Sequence, residues 1–318
     1  MKAVFISKSL APQVSALGAK VPGWQLLVAG SDQEAAERWP DADVLVSWGM
    51  QFPKQFLAAA KGLRWIQTLS AGVEGLIGPV RELEHQGRSI ILANARGAHG
   101  EPIAEHVLGM ILSFTRRLLA SQRAQAASEW VSLAPVELAG QTVGIAGFGS
   151  IGQAIAAKLH PLGVRLLATR ARPQPHPLVE KVLPPSGLRE MLAESDVLIL
   201  AAPATAETRF LIGEAELAQM KPEALLINIA RGSLIDEAAL ATALRAGRLG
   251  GAALDVFAKE PLPADSPLWQ APNLLITPHI AALSPRTMER TLDIVAENLL
   301  RFAAGEPLRN VVDTERGY

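Results

Sequence analysis

The stretch VGIAGFGSIG at residues 143–152 decides how the rest of the chain is interpreted. It places the pattern G-x-G-x-x-G, with Gly147, Gly149 and Gly152, directly after an apolar strand and at the start of a helical pattern. The first glycine permits a tight turn, the second lets the backbone approach a pyrophosphate, and the third allows close packing of helix on strand. The N–H groups of the helix N-terminus favour phosphate. The stretch therefore predicts a dinucleotide site whose cofactor-binding candidates are Gly147, Phe148, Gly149, Ser150, Ile151 and Gly152.

The segment after the next strand predicts which dinucleotide binds. Residues 167–173 read LATRARP and contain no carboxylate for the ribose 2′-hydroxyl of NAD. Arg170 and Arg172 are instead suited to neutralise a 2′-phosphate, and Thr169 is suited to donate a hydrogen bond. The alternative is that both arginines are solvated loop residues. We expect NADP, with NAD as the other candidate cofactor.

Short apolar runs alternate with helical patterns along almost the whole chain, which indicates βαβ units. Several runs are continuously apolar, as is typical of parallel strands covered on both faces. The sequence therefore predicts an α/β fold with two doubly wound parallel sheets. The predicted strands are residues 3–6, 25–29, 44–47, 65–68, 90–92, 142–146, 164–168, 197–200, 224–227, 252–254 and 274–276.

Two longer helical patterns frame the second series of strands. One begins near Glu101-Pro102 and the other at Ser284-Pro285, where a serine N-cap precedes a proline in the first turn. We therefore expect a Rossmann nucleotide domain, residues 98–283, inserted into a discontinuous flavodoxin-like substrate domain, residues 1–97 with 284–318.

Composition limits the class of protein. A length of 318 residues suggests two domains, and 30 basic against 31 acidic residues give a net charge of −1, which argues against a globally basic nucleic-acid binder. There is no cysteine, so disulfides and thiol nucleophiles are excluded. No apolar run reaches the roughly 18 residues of a membrane span. The six histidines lack the H-E-x-x-H pattern, so we expect no metal site. From the missing cysteines and membrane span we expect a cytoplasmic protein with no membrane partner.

Three further segments, residues 228–232, 254–261 and 277–282, each follow an apolar strand. The carboxyl ends of parallel strands face the ligand crevice, so these segments are expected to lie near the cofactor. Arg231 is suited to hold a carboxylate with two hydrogen bonds. His279 is suited to give a proton to a carbonyl oxygen, and Glu260 to orient that imidazole. The predicted catalytic set is Arg231, Glu260 and His279.

The glycine loop and these three segments, in this order and spacing, resemble the D-isomer-specific 2-hydroxyacid dehydrogenase family. The resemblance runs from about Val44 to the last helix and implies the same catalytic set. It also implies a small 2-keto or 2-hydroxy acid substrate and a homodimer. The further cofactor contacts that it implies are Ala202, Pro203, Thr208, Ile229, Ala230, Arg231, Asp255, His279 and Ala281.

The first half of the chain carries the family's implied substrate contacts. Residues 69–73, LSAGV, resemble a cradle of backbone amides for a carboxylate, and small residues there leave the N–H groups accessible. Trp48 lies where relatives line the substrate pocket, although closing the domain core is an equal alternative. The implied substrate-binding residues are Trp48, Gly49, Ser70, Ala71, Gly72, Arg231 and His279.

Because no acidic residue follows the second strand of the nucleotide domain, the chain resembles the NADPH-dependent glyoxylate and hydroxypyruvate reductases. The turn at residues 96–100, RGAHG, departs from the family's usual small turn and leaves the exact keto acid open. We therefore expect hydride transfer between NAD(P)H and a small 2-keto acid, with glyoxylate or hydroxypyruvate as the substrate. The alternative is a dinucleotide-sensing corepressor, since that class of interaction protein is built on the same scaffold.

Overall fold

The computed structural model describes residues 1–50 and 52–317. Two compact units form within it, Met1–Ala98 with Ser284–Tyr318 as the first and His99–Leu283 as the second. The second unit is continuous in sequence, whereas the first is completed by a segment that follows the second. Each unit is built on its own parallel sheet.

The first unit has a five-stranded sheet in the order β2-β1-β3-β4-β5. This order matches the flavodoxin-like arrangement, whose topological switch point lies between β1 and β3. Its strands are β1 (Lys2–Ile6), β2 (Gln25–Ala29), β3 (Val44–Ser47), β4 (Trp65–Thr68) and β5 (Ile91–Ala93). Its helices are α1 (Ala11–Gly18), α2 (Asp32–Arg38), α3 (Lys54–Ala59), α4 (Glu74–His85) and, after the second unit, α11 (Pro285–Ala304).

Both faces of this sheet are covered. On β3, Val44 and Val46 belong to one apolar core cluster, and Leu45 belongs to the cluster on the opposite face. Helix α11 contributes Leu299 to the first of these clusters. The helix begins as predicted, because the Ser284 side chain accepts a hydrogen bond from the Thr287 N–H at the N-cap. Burial of both faces explains the unbroken apolar runs in the sequence.

The second unit has a seven-stranded sheet in the order β12-β11-β10-β9-β6-β7-β8. The strands named in this order pair in parallel throughout, and the order reverses between β6 and β9. Its strands are β6 (Thr142–Ala146), β7 (Arg165–Thr169), β8 (Lys181–Leu183), β9 (Val197–Leu200), β10 (Leu225–Asn228), β11 (Gly251–Leu254) and β12 (Leu274–Ile276). Its helices are α5 (Gly100–Thr115), α6 (Leu118–Ala126), α7 (Ser150–Leu159), α8 (Leu188–Glu194), α9 (Glu214–Leu217) and α10 (Glu237–Arg245).

The predicted fold class, two doubly wound parallel sheets, is confirmed. The sequence pattern missed β8, which has only three residues, all half-buried, at the sheet edge. Several strand ends also lie one residue from their predicted positions. In both units the loops that follow the strands, rather than the apolar strands themselves, carry the polar residues of interest.

Candidate functional site

The glycine loop lies between β6 and α7, at the point where the strand order of the second unit reverses. Gly147 has a φ of +101°, and a Cβ there would lie 2.4 Å from the backbone N of Ala202. A Cβ at Gly152 would lie 2.4 Å from the Gly147 carbonyl oxygen. At Gly149 a Cβ would meet nothing within 4 Å. The backbone is therefore tight at the first and third glycines and open at the second, where a phosphate approaches in this type of loop.

The end of β7 holds the glycine loop in place. The carbonyl oxygen of Thr169 accepts hydrogen bonds from the N–H groups of Gly147 and Phe148, at 3.2 and 2.9 Å. Phe148 is buried, and its ring packs edge-on against His176 with 5.0 Å between the ring centroids. Arg170 and Arg172 follow on the exposed side, and neither makes an ion pair within residues 1–50 and 52–317. Two cationic side chains are thus available beside the glycine loop.

A second loop beside the glycines follows β9 and is stabilised by its own side chains. The Thr208 hydroxyl donates to the Pro203 carbonyl oxygen at 2.7 Å and accepts from the Thr205 N–H at 2.8 Å. A hydrogen bond from the Thr205 side chain lowers the pKa of the Glu207 carboxyl. Since Ala202 lies directly under Gly147, the two loops form one surface at the carboxyl ends of β6 and β9.

The Arg231 turn is fixed by a buried amide. Asn228, the last residue of β10, donates to the Arg231 carbonyl oxygen at 2.9 Å and accepts from the Ala230 N–H at 3.0 Å. A Cβ at Gly232 would lie 1.9 Å from the Phe257 carbonyl carbon, so only glycine fits. The turn therefore packs backbone to backbone against the segment that leads to Glu260. The Arg231 guanidinium donates to the Ala230 carbonyl oxygen at 2.7 Å.

Glu260 and His279 form a direct pair. Glu260 Oε2 lies 2.6 Å from His279 Nδ1, and Oε1 accepts the Phe257 N–H at 2.9 Å. The backbone bond holds the carboxylate, and the carboxylate in turn holds the imidazole. The His279 side chain is 48% exposed, so part of the ring is open to solvent. The pair comes from segments after β11 and β12, which are neighbouring strands.

Asp255 anchors the loop that carries His279. Its carboxylate is buried and accepts hydrogen bonds from the Thr277 hydroxyl at 2.6 Å, the Ile280 N–H at 2.9 Å and the Ala281 N–H at 2.9 Å. Its carbonyl oxygen accepts the His279 N–H at 2.8 Å. These bonds lie on both sides of His279, whose φ of 54° is in the left-handed region. The sequence predicts a cofactor contact at Asp255, and the structure gives it this further part in shaping the loop.

His106 was not among the predicted site residues, yet the structure connects it to the same loop. Its Nε2 lies 3.1 Å from the Thr277 hydroxyl and 3.7 Å from Asp255 Oδ1. It stands on α5, which packs against α7, the helix of the glycine loop. The residues that it contacts are far away in sequence, so no local spacing signals the connection.

In the first unit, the loops after β3 and β4 interlock. The Ser70 hydroxyl accepts the Gly49 N–H at 3.1 Å and donates to the Gly72 carbonyl oxygen at 2.8 Å. A Cβ at Gly49 would lie 2.0 Å from that same carbonyl oxygen, so the two loops are in backbone contact. Asn94, after β5, donates to the Ala71 carbonyl oxygen at 3.0 Å. Residues Ser70, Ala71 and Gly72 are called the amide cradle below.

The amide cradle contains backbone N–H groups that are available to a ligand. Within residues 1–50 and 52–317, the N–H groups of Ala71 and Gly72 donate no hydrogen bond. Consecutive N–H groups of this kind form an anion-binding concavity. Trp48, before the cradle's partner Gly49, is half-buried and packs against the core cluster that contains Val46 and Trp65. The structure thus supports core packing for Trp48 while leaving part of its ring exposed.

Within the described ranges, 1–50 and 52–317, no three His, Asp or Glu side chains gather in a way that would hold a metal ion. In the same ranges, none of the helices combines the length and the apolar character required to cross a bilayer.

A glycine loop at the switch point of a doubly wound sheet, with a histidine–carboxylate pair at the carboxyl edge of that same sheet, is the arrangement of a dinucleotide-dependent oxidoreductase. Comparison with known proteins identifies the family. The family model described as "D-isomer specific 2-hydroxyacid dehydrogenase, NAD binding domain" matches residues 108–281. The chain belongs to the D-isomer specific 2-hydroxyacid dehydrogenase family, and the resemblance noted from the sequence is confirmed.

Individual relatives cover nearly the whole chain. The chain is 34% identical to glyoxylate/hydroxypyruvate reductase A of Klebsiella pneumoniae (strain 342) over 303 residues, 95% of this chain and 92% of the relative. A solved D-isomer specific 2-hydroxyacid dehydrogenase from Xanthobacter autotrophicus Py2, in complex with NADPH and MES, is 32% identical with a TM-score of 0.86 and covers 100% of this chain and 99% of that one. An NADPH-dependent glyoxylate/hydroxypyruvate reductase from Sinorhizobium meliloti, in complex with NADP and sulfate, is 29% identical with a TM-score of 0.86 over 100% and 99% of the two chains.

Replacement of Thr277 by valine tests the anchoring of the His279 loop. The variant keeps the shape of the side chain but removes the donor to Asp255 and the partner of His106. We expect a loss of about 1–2 kcal/mol in the free energy of unfolding, measured by urea denaturation. Thr242→Val is the matched control, because the Thr242 hydroxyl only donates to the Ala238 carbonyl oxygen on an exposed helix face. Equal effects of the two substitutions would contradict the anchoring role.

Proposed function

We propose that the protein reduces glyoxylate or hydroxypyruvate to the corresponding hydroxy acid with NADPH. The observation that carries the proposal is the 2.6 Å contact between Glu260 and His279 in a chain of this family. Relatives named as glyoxylate/hydroxypyruvate reductases over almost the full chain support the substrate. The keto acid gains a hydride on its carbonyl carbon and a proton on its carbonyl oxygen.

The second unit fits a phosphorylated dinucleotide, whose nicotinamide supplies the hydride. The open backbone at Gly149 and the N-terminus of α7 suit the pyrophosphate. Arg170 and Arg172 suit a 2′-phosphate, because a guanidinium binds phosphate oxygens with charge-assisted hydrogen bonds. Thr169 shapes the loop with its carbonyl oxygen. Two similar solved structures contain NADPH or NADP, which supports NADP over NAD.

His279 is proposed as the general acid. Because Nδ1 faces the Glu260 carboxylate, the Nε2–H of the imidazolium is the donor that remains for the carbonyl oxygen. The carboxylate fixes the orientation of the ring, and the bond from the Phe257 N–H keeps the carboxylate in place. We assign Asp255 the positioning of this loop.

Each unit has an element suited to a carboxylate. In the second unit, Arg231 precedes the Gly232 contact that locks its turn, and its guanidinium is suited to a two-pronged hydrogen bond. In the first unit, the amide cradle offers the N–H groups of Ala71 and Gly72. We therefore propose keto-acid binding for the first unit, with Trp48 and Gly49 beside the cradle, and nucleotide binding for the second. We also propose a cytoplasmic location, where a freely exchanging dinucleotide is available.

His279→Asn tests the proposed acid. We expect kcat for glyoxylate or hydroxypyruvate to fall by about 10²–10⁴-fold, because the proton donor is lost, while the Kd for NADPH changes little. The readouts are NADPH absorbance at 340 nm and cofactor binding by fluorescence titration. His85→Asn, on an exposed helix end of the first unit, is the control. Unchanged turnover would refute the assignment of the acid. A panel of keto acids tests the reaction itself. If the wild type fails to oxidise NADPH with every keto acid of the panel, the reductase proposal is wrong and dinucleotide sensing is favoured.

Arg170→Asp tests the cofactor preference. The substitution places a carboxylate where we propose the 2′-phosphate, so the KM for NADPH should rise about tenfold or more, and the KM for NADH should stay level or fall. Arg189→Asp, which changes the same charge on an exposed position of α8, should change neither. Equal effects on the two cofactors would contradict a 2′-phosphate contact at Arg170.

A homodimer is the proposed assembly. Trp130 is fully exposed at 103%, and Leu118, Val131 and Val136 are also large apolar side chains at the surface. They lie on and after α6 in a segment tied to α5 by the Val136 N–H, which donates to the Thr115 carbonyl oxygen at 2.8 Å. An ordered segment that presents tryptophan to solvent is typical of an interface.

Trp130→Ser should shift the protein from dimer to monomer in sedimentation equilibrium, because the largest apolar side chain of this segment is removed. Trp269→Ser is the control, since Trp269 is half-exposed and its indole N–H already donates to the Pro263 carbonyl oxygen. A wild type that sediments as a monomer would overturn the proposal.

A further inference from the structure

The first unit contains a cavity of about 400 Å³ at the carboxyl ends of β1, β2 and β3. A volume of this size is in the range of small-molecule sites. The polar or aromatic residues that line it and enter the argument are Ser7, Lys8, Ser31, Asp32, Ser47 and Trp48. All of them belong to the first unit, and the functions proposed above use only Trp48.

The position of the cavity in the fold is significant. The sheet order β2-β1-β3-β4-β5 reverses between β1 and β3, and the cavity is lined by the residues that end or follow these two strands. In open α/β sheets, ligands bind in the crevice outside the carboxyl ends of the strands at such a switch point. The glycine loop occupies the corresponding switch point of the second unit. The first unit therefore has its own crevice of the type that binds ligands.

Ser47, the last residue of β3, gives an independent indication. The residue is 1% exposed, and its hydroxyl has no hydrogen-bond partner among residues 1–50 and 52–317. A buried hydroxyl without a partner costs free energy, and such groups in a folded protein call for an explanation. Because Ser47 lines the cavity, a ligand held there is suited to provide the missing partner.

Lys8 provides the charge. Its side chain extends over Gly30, where a Cβ would lie 2.3 Å from Lys8 Cε, so glycine makes room for the lysine stem. Its ammonium makes no ion pair in the part of the chain that the structure describes. Glu34 attracts it only at longer range, since the Glu34 carboxylate already binds the Gly30 N–H at 2.8 Å and Arg38 at 2.9 Å.

The Asp32 carboxylate in the lining is held by backbone donors. The two carboxylate oxygens of Asp32 accept the N–H groups of Gln55 and Phe56, both at 2.7 Å. The Ser31 oxygen accepts the Glu34 N–H at 3.1 Å, and its own O–H remains a donor. The lining residues thus include a lysine ammonium and serine hydroxyls that can still donate hydrogen bonds, which favours a ligand made of acceptors.

We infer that this cavity binds the carboxylate or phosphate group of a small anionic metabolite, with Lys8 as the counter-charge and Ser47 as a hydroxyl donor. The amide cradle is a separate element, because its residues Ser70, Ala71 and Gly72 follow β4 and none of them lines the cavity. Trp48 borders the cavity, and the next residue, Gly49, belongs with the cradle. The inference stands on the first unit alone and does not require the proposed reaction.

Thermal stability of the full-length protein tests the inference, with inorganic phosphate and malonate as the probes. A ligand that binds only the folded state raises Tm with concentration, and the rise reports Kd. Lys8→Gln and Ser47→Ala should each raise Kd by about tenfold or more relative to the wild type. Ser47→Ala is expected to fold, since it removes a hydroxyl for which the described residues provide no partner. The probe that gives the larger rise identifies the favoured group.

Lys61→Gln is the matched control, because Lys61 is another exposed lysine of the first unit that lies outside the cavity lining. It should respond like the wild type, so general salt effects of phosphate and malonate cancel in the comparison. The inference is overturned if neither probe raises Tm, or if Lys8→Gln and Ser47→Ala show the same rise as the wild type.

Discussion

The buried carboxylate of Asp255 is the constraint on which the second unit's site depends. A buried carboxylate is stable only when donors surround it, and here the donors are the Thr277 hydroxyl and the N–H groups of Ile280 and Ala281. The loop after β12 must therefore fold back over the end of β11. As a result, His279 lies between Thr277 and Ile280, which both donate hydrogen bonds to Asp255, and its backbone is held in the left-handed region. Glu260 comes from the segment after the same strand as Asp255, so the pair with His279 follows from one short piece of chain.

The other functional loops are positioned by close contact between the backbones of neighbouring loops. Gly232 sets the Arg231 turn against Phe257, Gly147 sets the glycine loop against Ala202, and Gly49 sets the two loops of the first unit against each other. A Cβ added at any of these three glycines would lie too close to a backbone atom of the facing loop. A glycine in such a place removes freedom from both loops, since neither can move without losing the contact. Functional side chains thus stand on loops that the packing of the sheet has already fixed.

The sequence predicts the fold class because its signals are local: apolar runs of strand length, the serine-proline start at Ser284, and glycines directly after a strand. It also indicates that segments after neighbouring parallel strands meet, and it therefore predicts the pair of Glu260 and His279. It did not predict β8, because three half-buried residues at Lys181–Leu183 carry too weak a pattern. Nor did it predict the link from His106 to Thr277, since a hydrogen bond between residues 171 positions apart depends on how α5 packs.

Buried polar residues occur repeatedly at the carboxyl ends of strands in both units, and their partners show what each one does. Thr68 donates to the Ser70 carbonyl oxygen and Asn94 to that of Ala71, so both shape the amide cradle. Asn228 shapes the Arg231 turn, and Asp255 shapes the His279 loop. Burying a polar group at a strand end is thus offset by an ordered loop. Ser47 occupies the equivalent place on β3, yet its hydroxyl has no hydrogen-bond partner in the part of the chain that the structure describes. The other four residues each have a hydrogen-bond partner in a nearby loop. We therefore infer that the partner of the Ser47 hydroxyl is a ligand.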